Sequence, residues 1–404
     1  MGFFIVPTAK EAFRFPKDIL IRAEGIVLIA SWILLFLRGI KPAYRPADKP
    51  VALLVSAVII WTGFTSLIAI NRTLSAYAFA WTFTVAVILL STYVVIGERR
   101  RMSDLVPLLV PALANAIIAS SQATRIWSPV RLEGDAPSVM MVTALLGNPN
   151  DTGSFLVAPV LVATALAIVS RRWRVACAAA AVVMFLGLVA ARSATSTIAC
   201  IAGLACIAIT ASTHRWRTLL ALVAAGVIAG TVLTATGRVS INDVRRLKQI
   251  DALNQRLSYR VPPFLAAWRI FLDHPLTGVG PGCWASLYFD YKLAVERDHP
   301  RLFHSGDNSS FAEVHNDHLE ILAETGLPGY LLFIASLAFI GYHSFAKSGD
   351  EKGASDTGRL ARVLAFPAAA ALAVLCLAHF PLQLASATSS FVFVFATVLG
   401  WLRR

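Results

Sequence analysis

Charge is scarce in this sequence. Asp, Glu, Lys and Arg make up 15% of the 404 residues, where a soluble domain carries about 25%. That shortage excludes an ordinary water-facing globule. Cysteine is scarce too, and of Cys177, Cys200, Cys206, Cys283 and Cys376 only Cys283 lies outside an apolar run. No disulfide framework is available from such a set. Residues 1–18 lack a continuous apolar core before the first long run, so no cleavable signal peptide is expected. No internal repeat of 20 to 50 residues is visible.

What fills the gap is hydrophobic surface: 57% of residues are apolar and the mean hydropathy is +0.68. The reading is an all-α polytopic membrane protein of about 11–12 transmembrane helices with one large outward-facing helical loop. Candidate spans run at roughly 20–37, 51–70, 74–96, 105–120, 153–170, 174–191, 194–211, 218–236, 327–346, 360–380 and 384–402, each near the ~20 residues a bilayer requires. Residues 1–18, with Lys10, Arg14 and Lys17 among Phe3, Phe4, Phe13 and Phe15, read as an interfacial amphipathic piece or a loosely ordered end.

A net charge of +13 suggests nucleic acid only until the basic residues are placed. One set of short connections carries Arg38, Lys41, Arg45 and Lys49, Arg99 to Arg101, Arg171, Arg172 and Arg174, Arg215 and Arg217, Lys347, Lys352, Arg359 and Arg362, and Arg403 with Arg404. The alternate set carries only Arg72, Arg125, Arg131 and Arg192. The basic set is expected on the cytoplasmic side. Three regions follow: an N-terminal bundle of about eight spans at 1–236, an outward loop at 237–326, and about three C-terminal spans at 327–404. Eleven spans place the two ends on opposite sides. A short span near Phe3–Val6, or a re-entrant piece at 138–152, would change that count.

Two outward connections carry more than turn chemistry. Gly147-Asn148-Pro149-Asn150-Asp151 breaks a helix and frees backbone groups that lipid cannot satisfy. It either packs on protein or a cavity, or is a plain surface turn. The second connection, from 237, is too long to be idle. Phe264, Trp268, Phe271 and Leu272 have the spacing of an amphipathic helix on the membrane or on the bundle. That helix stops at Asp273-His274-Pro275. Gly278-Val-Gly280-Pro-Gly282 lacks the Lys-Ser/Thr of a phosphate loop and reads as a backbone turn. Residues 297–312, with Arg297, His299, Arg301, His304 and Asp307, read as an outer loop.

The ionisable cluster at 313–320 is the best candidate for chemistry. His315 and His318, three apart, share a face if the segment is helical, as do Leu319 and Leu322. His315 is a candidate general base, since imidazole titrates near working pH, or a histidine satisfied at a helix start by Glu313 or a carbonyl. A metal site of His315, His318 and Glu320 lacks the two-His, one-Glu spacing of a zinc hydrolase. Arg192, alone between two apolar runs, either snorkels to headgroups or binds an anion in two-pronged fashion. Arg256 and Arg260 lie on the same expected side and support anion binding. Arg125 and Arg131 read as solvated.

Taken in order, several of these segments resemble the O-antigen ligase and polymerase superfamily. The string Val314-His-Asn-Asp-His-Leu-Glu-Ile-Leu-Ala-Glu-Thr-Gly-Leu-Pro-Gly329 is similar to its His-Asn signature and following helix. Arg260…Trp268-Arg-Ile-Phe-Leu-Asp-His-Pro-Leu-Thr-Gly-Val-Gly-Pro-Gly282 is similar to its Arg, aromatic helix and Gly-x-Gly segment. Arg192-Ser193 matches its Ser-Arg at a span end, with Ala191 in place of Ser, and Asn148-Pro149-Asn150 also fits. The likeness covers about 147–345.

The resemblance implies metal-independent, cofactor-free glycosyl transfer, with inversion, on the outer face of the bacterial inner membrane. It implies a donor glycan on undecaprenyl diphosphate and an acceptor hydroxyl on a glycan or on lipid A core. It assigns His315 to acceptor activation and Arg192 and Arg260, or Arg256 in its stead, to the diphosphate, with Asn316, Glu313 and His318 in support. The family's usual twelve spans with both ends inside differ from the eleven read here. From another class, a flippase of polyprenyl-linked glycan is the alternative, although most runs hold no charge at their centres. Membrane lipid is an expected partner and nucleic acid is not.

Overall fold

The computed structural model describes residues 13–40, 45–129, 142–214, 217–222, 250, 254–255, 257, 259–303, 311–345 and 355–403. Every regular element among them is a helix. They are α1 Phe15–Leu37, α2 Asp48–Leu67, α3 Arg72–Arg99, α4 Val106–Ala123, α5 Pro149–Val169, α6 Arg174–Ala190, α7 Ala194–Ala211, α8 Val261–Asp273, α9 Trp284–Asp298, α10 Asp317–Tyr342, α11 Asp356–Leu375 and α12 Ala385–Leu402. Nine helices among the described residues are long and apolar enough to cross a membrane, and the shorter α6 is apolar as well. The polytopic all-α expectation holds. The span expected at 218–236 lies almost wholly outside the described residues, as do residues 1–12, Arg131, Arg256, residues 304–310 and most of the 347–358 loop.

The chain divides into two compact units. One comprises residues 1–59, 80–211 and 334–404, and the other 60–79 and 212–333.

In the first unit α5 is the central helix. It is apolar on every side and almost fully buried from Asp151 to Ala163, as a helix without a polar face must be. Helices α6, α7, α11 and α12 pack around it, and α4 packs on α6. Close approach rests on small side chains: a Cβ on Gly187 would lie 2.5 Å from the Ala116 backbone of α4, the kind of contact that holds apolar helices together in lipid.

Ion pairs mark the two ends of this unit. At one end Arg14, just before α1, holds Asp151 at the start of α5 through Nε at 3.0 Å and a second nitrogen at 3.3 Å. Its guanidinium also lies over the Phe380 ring, between α11 and α12. At the other end the buried Arg403 grips Asp48 at the start of α2 with two bonds of 2.6 and 2.7 Å, and Glu98 near the end of α3 at 2.7 Å. Arg14 and Arg403 therefore lie at opposite ends of the bundle.

The break before α5 is built into protein rather than lying open. Asn148 caps α5 by accepting the Asn150 N–H at 2.8 Å, and Pro149 takes the first helical position. Residues 142–144 are buried. Their backbone is satisfied from α4, where Gln122 accepts the Ala144 N–H at 2.8 Å and Asn115 accepts the Leu145 N–H at 3.1 Å. Both amides are buried, so the plain surface turn is ruled out on hydrogen-bonding grounds.

In the second unit α8 and α9 share one core. Val261, Ala266, Ala267 and Ile270 of α8 pack with Trp284, Tyr288 and Val295 of α9 and with Val314 and Ala323. The amphipathic helix expected over 264–272, on the membrane or on the bundle, is present. Its buried stripe is Pro263, Ala266, Ala267 and Ile270, whereas Trp268 and Leu272 are exposed. Small side chains let α8 approach its neighbours closely, and the larger ones are left on the opposite face.

Candidate functional site in the 260–330 unit

The site is assembled around the head of α10. Asn316 caps that helix, its Oδ1 accepting the Leu319 N–H at 3.1 Å. Glu320 reaches back to accept the Val314 N–H at 3.0 Å. Val314, Asn316 and Asp317 are buried, and His315 between them is half-buried.

His315 has φ of 60°, left-handed backbone that a branched or bulky residue adopts at a cost of about 1–2 kcal/mol. The helix starts at Asp317, so His315 and His318 do not share a helical face. Asn316 is the reason: as a strong cap it ends the preceding loop rather than continuing a turn through it. The His315 ring meets Phe311 edge-on at 5.7 Å, Phe311 meets Tyr288 at 5.8 Å, and Tyr288 lies 5.0 Å from Trp284. His318 sits instead against Tyr330 and Phe333, with Nδ1 3.3 Å from the Tyr330 hydroxyl. The two imidazoles thus have separate neighbours. Glu313 is half-buried. Among the described residues no three His, Cys, Asp or Glu side chains come together as metal ligands.

Arg260 caps α8 and belongs to the same unit as His315. It is half-buried, and burial pulls its guanidinium below the ordinary value, though far from neutral at working pH. Tyr259, beside it, has φ of 61°. Asn254 fixes that turn, its carbonyl accepting Tyr259 N–H at 2.7 Å and its side chain accepting Val261 N–H at 3.1 Å. Arg192 belongs to the other unit. It is exposed, between buried Ala191 and Ser193, at the turn from α6 to α7 with φ of 54°. Of the six non-glycine residues with positive φ among those described, three are therefore Arg192, His315 and the neighbour of Arg260. Strained backbone of this kind persists where the surroundings dictate it.

The glycine turn is tied to α10. Val279 N–H donates to the Ala323 carbonyl at 3.0 Å, Gly280 N–H to the Glu324 carbonyl at 2.9 Å, and Leu327 N–H to the Pro275 carbonyl at 2.8 Å. The Glu324 carboxylate accepts the N–H groups of Gly282 at 2.8 Å and Trp284 at 3.0 Å. These donors are occupied by protein acceptors, so the turn is a structural element and not a phosphate cradle. Glu324, with Gln122 and Asn115, is a residue that sequence reasoning did not single out. Its only signal was a carboxylate in an otherwise apolar stretch.

Residues 179–334 match the family described as O-antigen ligase. That match supports the resemblance to the O-antigen ligase and polymerase superfamily. The match takes in Arg192, Arg260, the glycine turn and His315. No curated protein is significantly similar to the chain. The matched family supports glycan transfer of the ligase or polymerase type in the broad sense and implies polysaccharide or lipid-linked substrates.

Proposed function

We propose that this O-antigen ligase family protein transfers a glycan from undecaprenyl diphosphate to a sugar hydroxyl, with inversion and without a metal ion, on the periplasmic face of the bacterial inner membrane. The observation that carries the reading is the backbone at His315: a bulky residue held left-handed at the head of α10, inside the family-matched stretch. A side chain fixed at energetic cost is one whose direction matters.

In this reading His315 accepts the proton of the acceptor hydroxyl as that oxygen attacks the anomeric carbon. The bond from that carbon to the diphosphate oxygen breaks, and undecaprenyl diphosphate leaves. Arg260 and Arg192 hold the diphosphate by charge-assisted, two-pronged hydrogen bonds and stabilise the charge that develops on it. Arg256, outside the described residues, is the alternative to Arg260. Asn316, next to the base, caps the helix that follows it, and Glu313 and His318 are the supporting residues of this reading. The acceptor is lipid A core in a ligase or a growing glycan end in a polymerase.

The test is a cell carrying His315→Ala, assayed for surface polysaccharide and for lipid-linked donor on the outer leaflet. Loss of transfer with donor still present supports the reading. Loss of donor from that leaflet would point to a flippase instead. Transfer by purified membranes that stops with chelator, and returns with added cation, would overturn the metal-free step. Uncapped core with long lipid-linked chains marks a ligase, and single repeat units on core mark a polymerase.

A further inference from the structure

The second unit presents an apolar face that its own core does not use. On α8, Trp268 and Leu272 are one turn apart and 44% and 57% exposed, and Leu276 just beyond is 68% exposed. Trp268 packs beside Phe271 at 5.3 Å. A patch of this kind on a soluble surface marks an interaction site. Here its height is fixed by α10. The Pro275 carbonyl accepts the Leu327 N–H at 2.8 Å, and a Cβ on Gly326 would lie 2.3 Å from the Leu276 carbonyl. Leu276 is therefore level with residues 326–327 of that helix.

α10 ends at Tyr342. At 1.5 Å per residue, about 20 residues cover the ~30 Å of hydrocarbon. From Leu327 to Tyr342, past the break at Gly326, the helix rises about 22 Å, less than that thickness, so with Tyr342 at one boundary Leu327 lies inside the other. Leu327 and Leu331, 43% and 56% exposed, begin an apolar stripe at that depth. Leu276 and Leu272 continue it onto α8.

From this continuity we infer that α8 is an interfacial anchor. Its Trp268–Leu272–Leu276 face is immersed in the acyl-chain boundary of the leaflet nearest this unit, and the occupant is bulk lipid. An amphipathic helix immersed on one side and packed on the other is held at a constant depth, and tryptophan favours that zone. Arg260, which caps the same helix, is thereby held at headgroup level. The inference does not depend on the transfer chemistry proposed above.

The test is spin-label accessibility in bilayers of phosphatidylethanolamine and phosphatidylglycerol. Labels go on Leu272→Cys, Leu276→Cys, Leu331→Cys and Glu296→Cys in a chain whose five native cysteines are replaced by Ala. Labels at 272 and 276 should be relaxed by oxygen more than by a water-soluble nickel complex, as at 331, while 296 behaves oppositely. Nickel access at 272 and 276 equal to that at 296 overturns the inference. So does shielding from both reagents, which would mean a protein partner covers the face. Should the substituted chain not fold, the unaltered protein is photolabelled with a diazirine lipid. Adducts on 268–276 support the anchor, and adducts on 327–342 with none on 268–276 overturn it.

Discussion

The carboxylate of Glu324 accepts the backbone N–H of Gly282 at 2.8 Å, from 42 residues further along the chain. With the second bond to Trp284 it seats the first turn of α9 against α10. Carboxylate-to-amide bonds of this kind are worth about 1.5–3 kcal/mol each. Glu324→Ala therefore costs about 3 kcal/mol or more, read as a lower unfolding temperature in detergent. Glu324→Gln retains one acceptor and falls roughly half-way between. Trp284 begins the aromatic series that ends on His315, so transfer activity per folded molecule drops in both variants. Unchanged melting in Glu324→Ala would refute the assignment.

His315 allows structure and chemistry to be separated. Glycine adopts left-handed backbone freely, so His315→Gly removes about 1 kcal/mol of local strain. The folded protein keeps or gains stability. Transfer nevertheless falls by about 10²–10⁴-fold, the usual contribution of a positioned base. A melting curve and a transfer assay on the same preparation decide it. A stable His315→Gly protein with full activity would remove the imidazole from the mechanism.

Gly326 divides α10 with φ of 68° and ψ of −175°, a conformation essentially confined to glycine. Gly278 faces it with φ of 63°, and a Cβ there would lie 2.2 Å from the Glu324 backbone. Backbone is met on both sides, so nothing flexible can yield. Gly326→Ala and Gly278→Ala each cost about 3 kcal/mol or more through strain and overlap together. The expected readout is loss of folded protein on gel filtration in detergent. A well-folded Gly326→Ala protein would contradict the interlock.

What was legible in the sequence follows from range. Spans depend on composition over about 20 neighbouring residues, so α1 to α7 and α10 to α12 could be read directly. Helix starts marked by Asn148-Pro149 or stopped by His274-Pro275 are equally local. The direction of His315 was not legible, because a helix through 313–318 and a cap at Asn316 fit the same residues. The partners of Glu324, Gln122 and Asn115 were hidden for another reason. Each satisfies backbone amides distant in sequence, and an amide donor leaves no mark in the residue that carries it. The core face of α8 was hidden because it is built of small side chains: Ala266 and Ala267 are inside, and Trp268 is not.

The last prediction concerns the end of the bundle opposite Arg14. Arg403, almost fully buried, spans Asp48 with two bonds and Glu98 with a third, while the Tyr93 hydroxyl donates to the same Asp48 oxygen at 2.6 Å. Next to it Gly97 and Gly400 bring α3 and α12 into contact, a Cβ on Gly97 lying 3.1 Å from the Gly400 carbonyl. Asp48 is partly and Glu98 half exposed, and Glu98 also holds Arg45 at 3.0 Å, so removing Arg403 costs less than the ~3–5 kcal/mol of a fully buried pair. Lysine is a poor replacement, since an ammonium cannot reproduce the two-pronged bond to Asp48. Arg403→Ala and Arg403→Lys should both lower the melting temperature, and Asp48→Asn should lower it less because Tyr93 keeps an acceptor. Transfer per folded molecule should not change in any of the three, since none of these groups belongs to the proposed site. A fall in specific transfer with unaltered melting would show that this clasp takes part in the chemistry rather than in holding α2, α3 and α12 together.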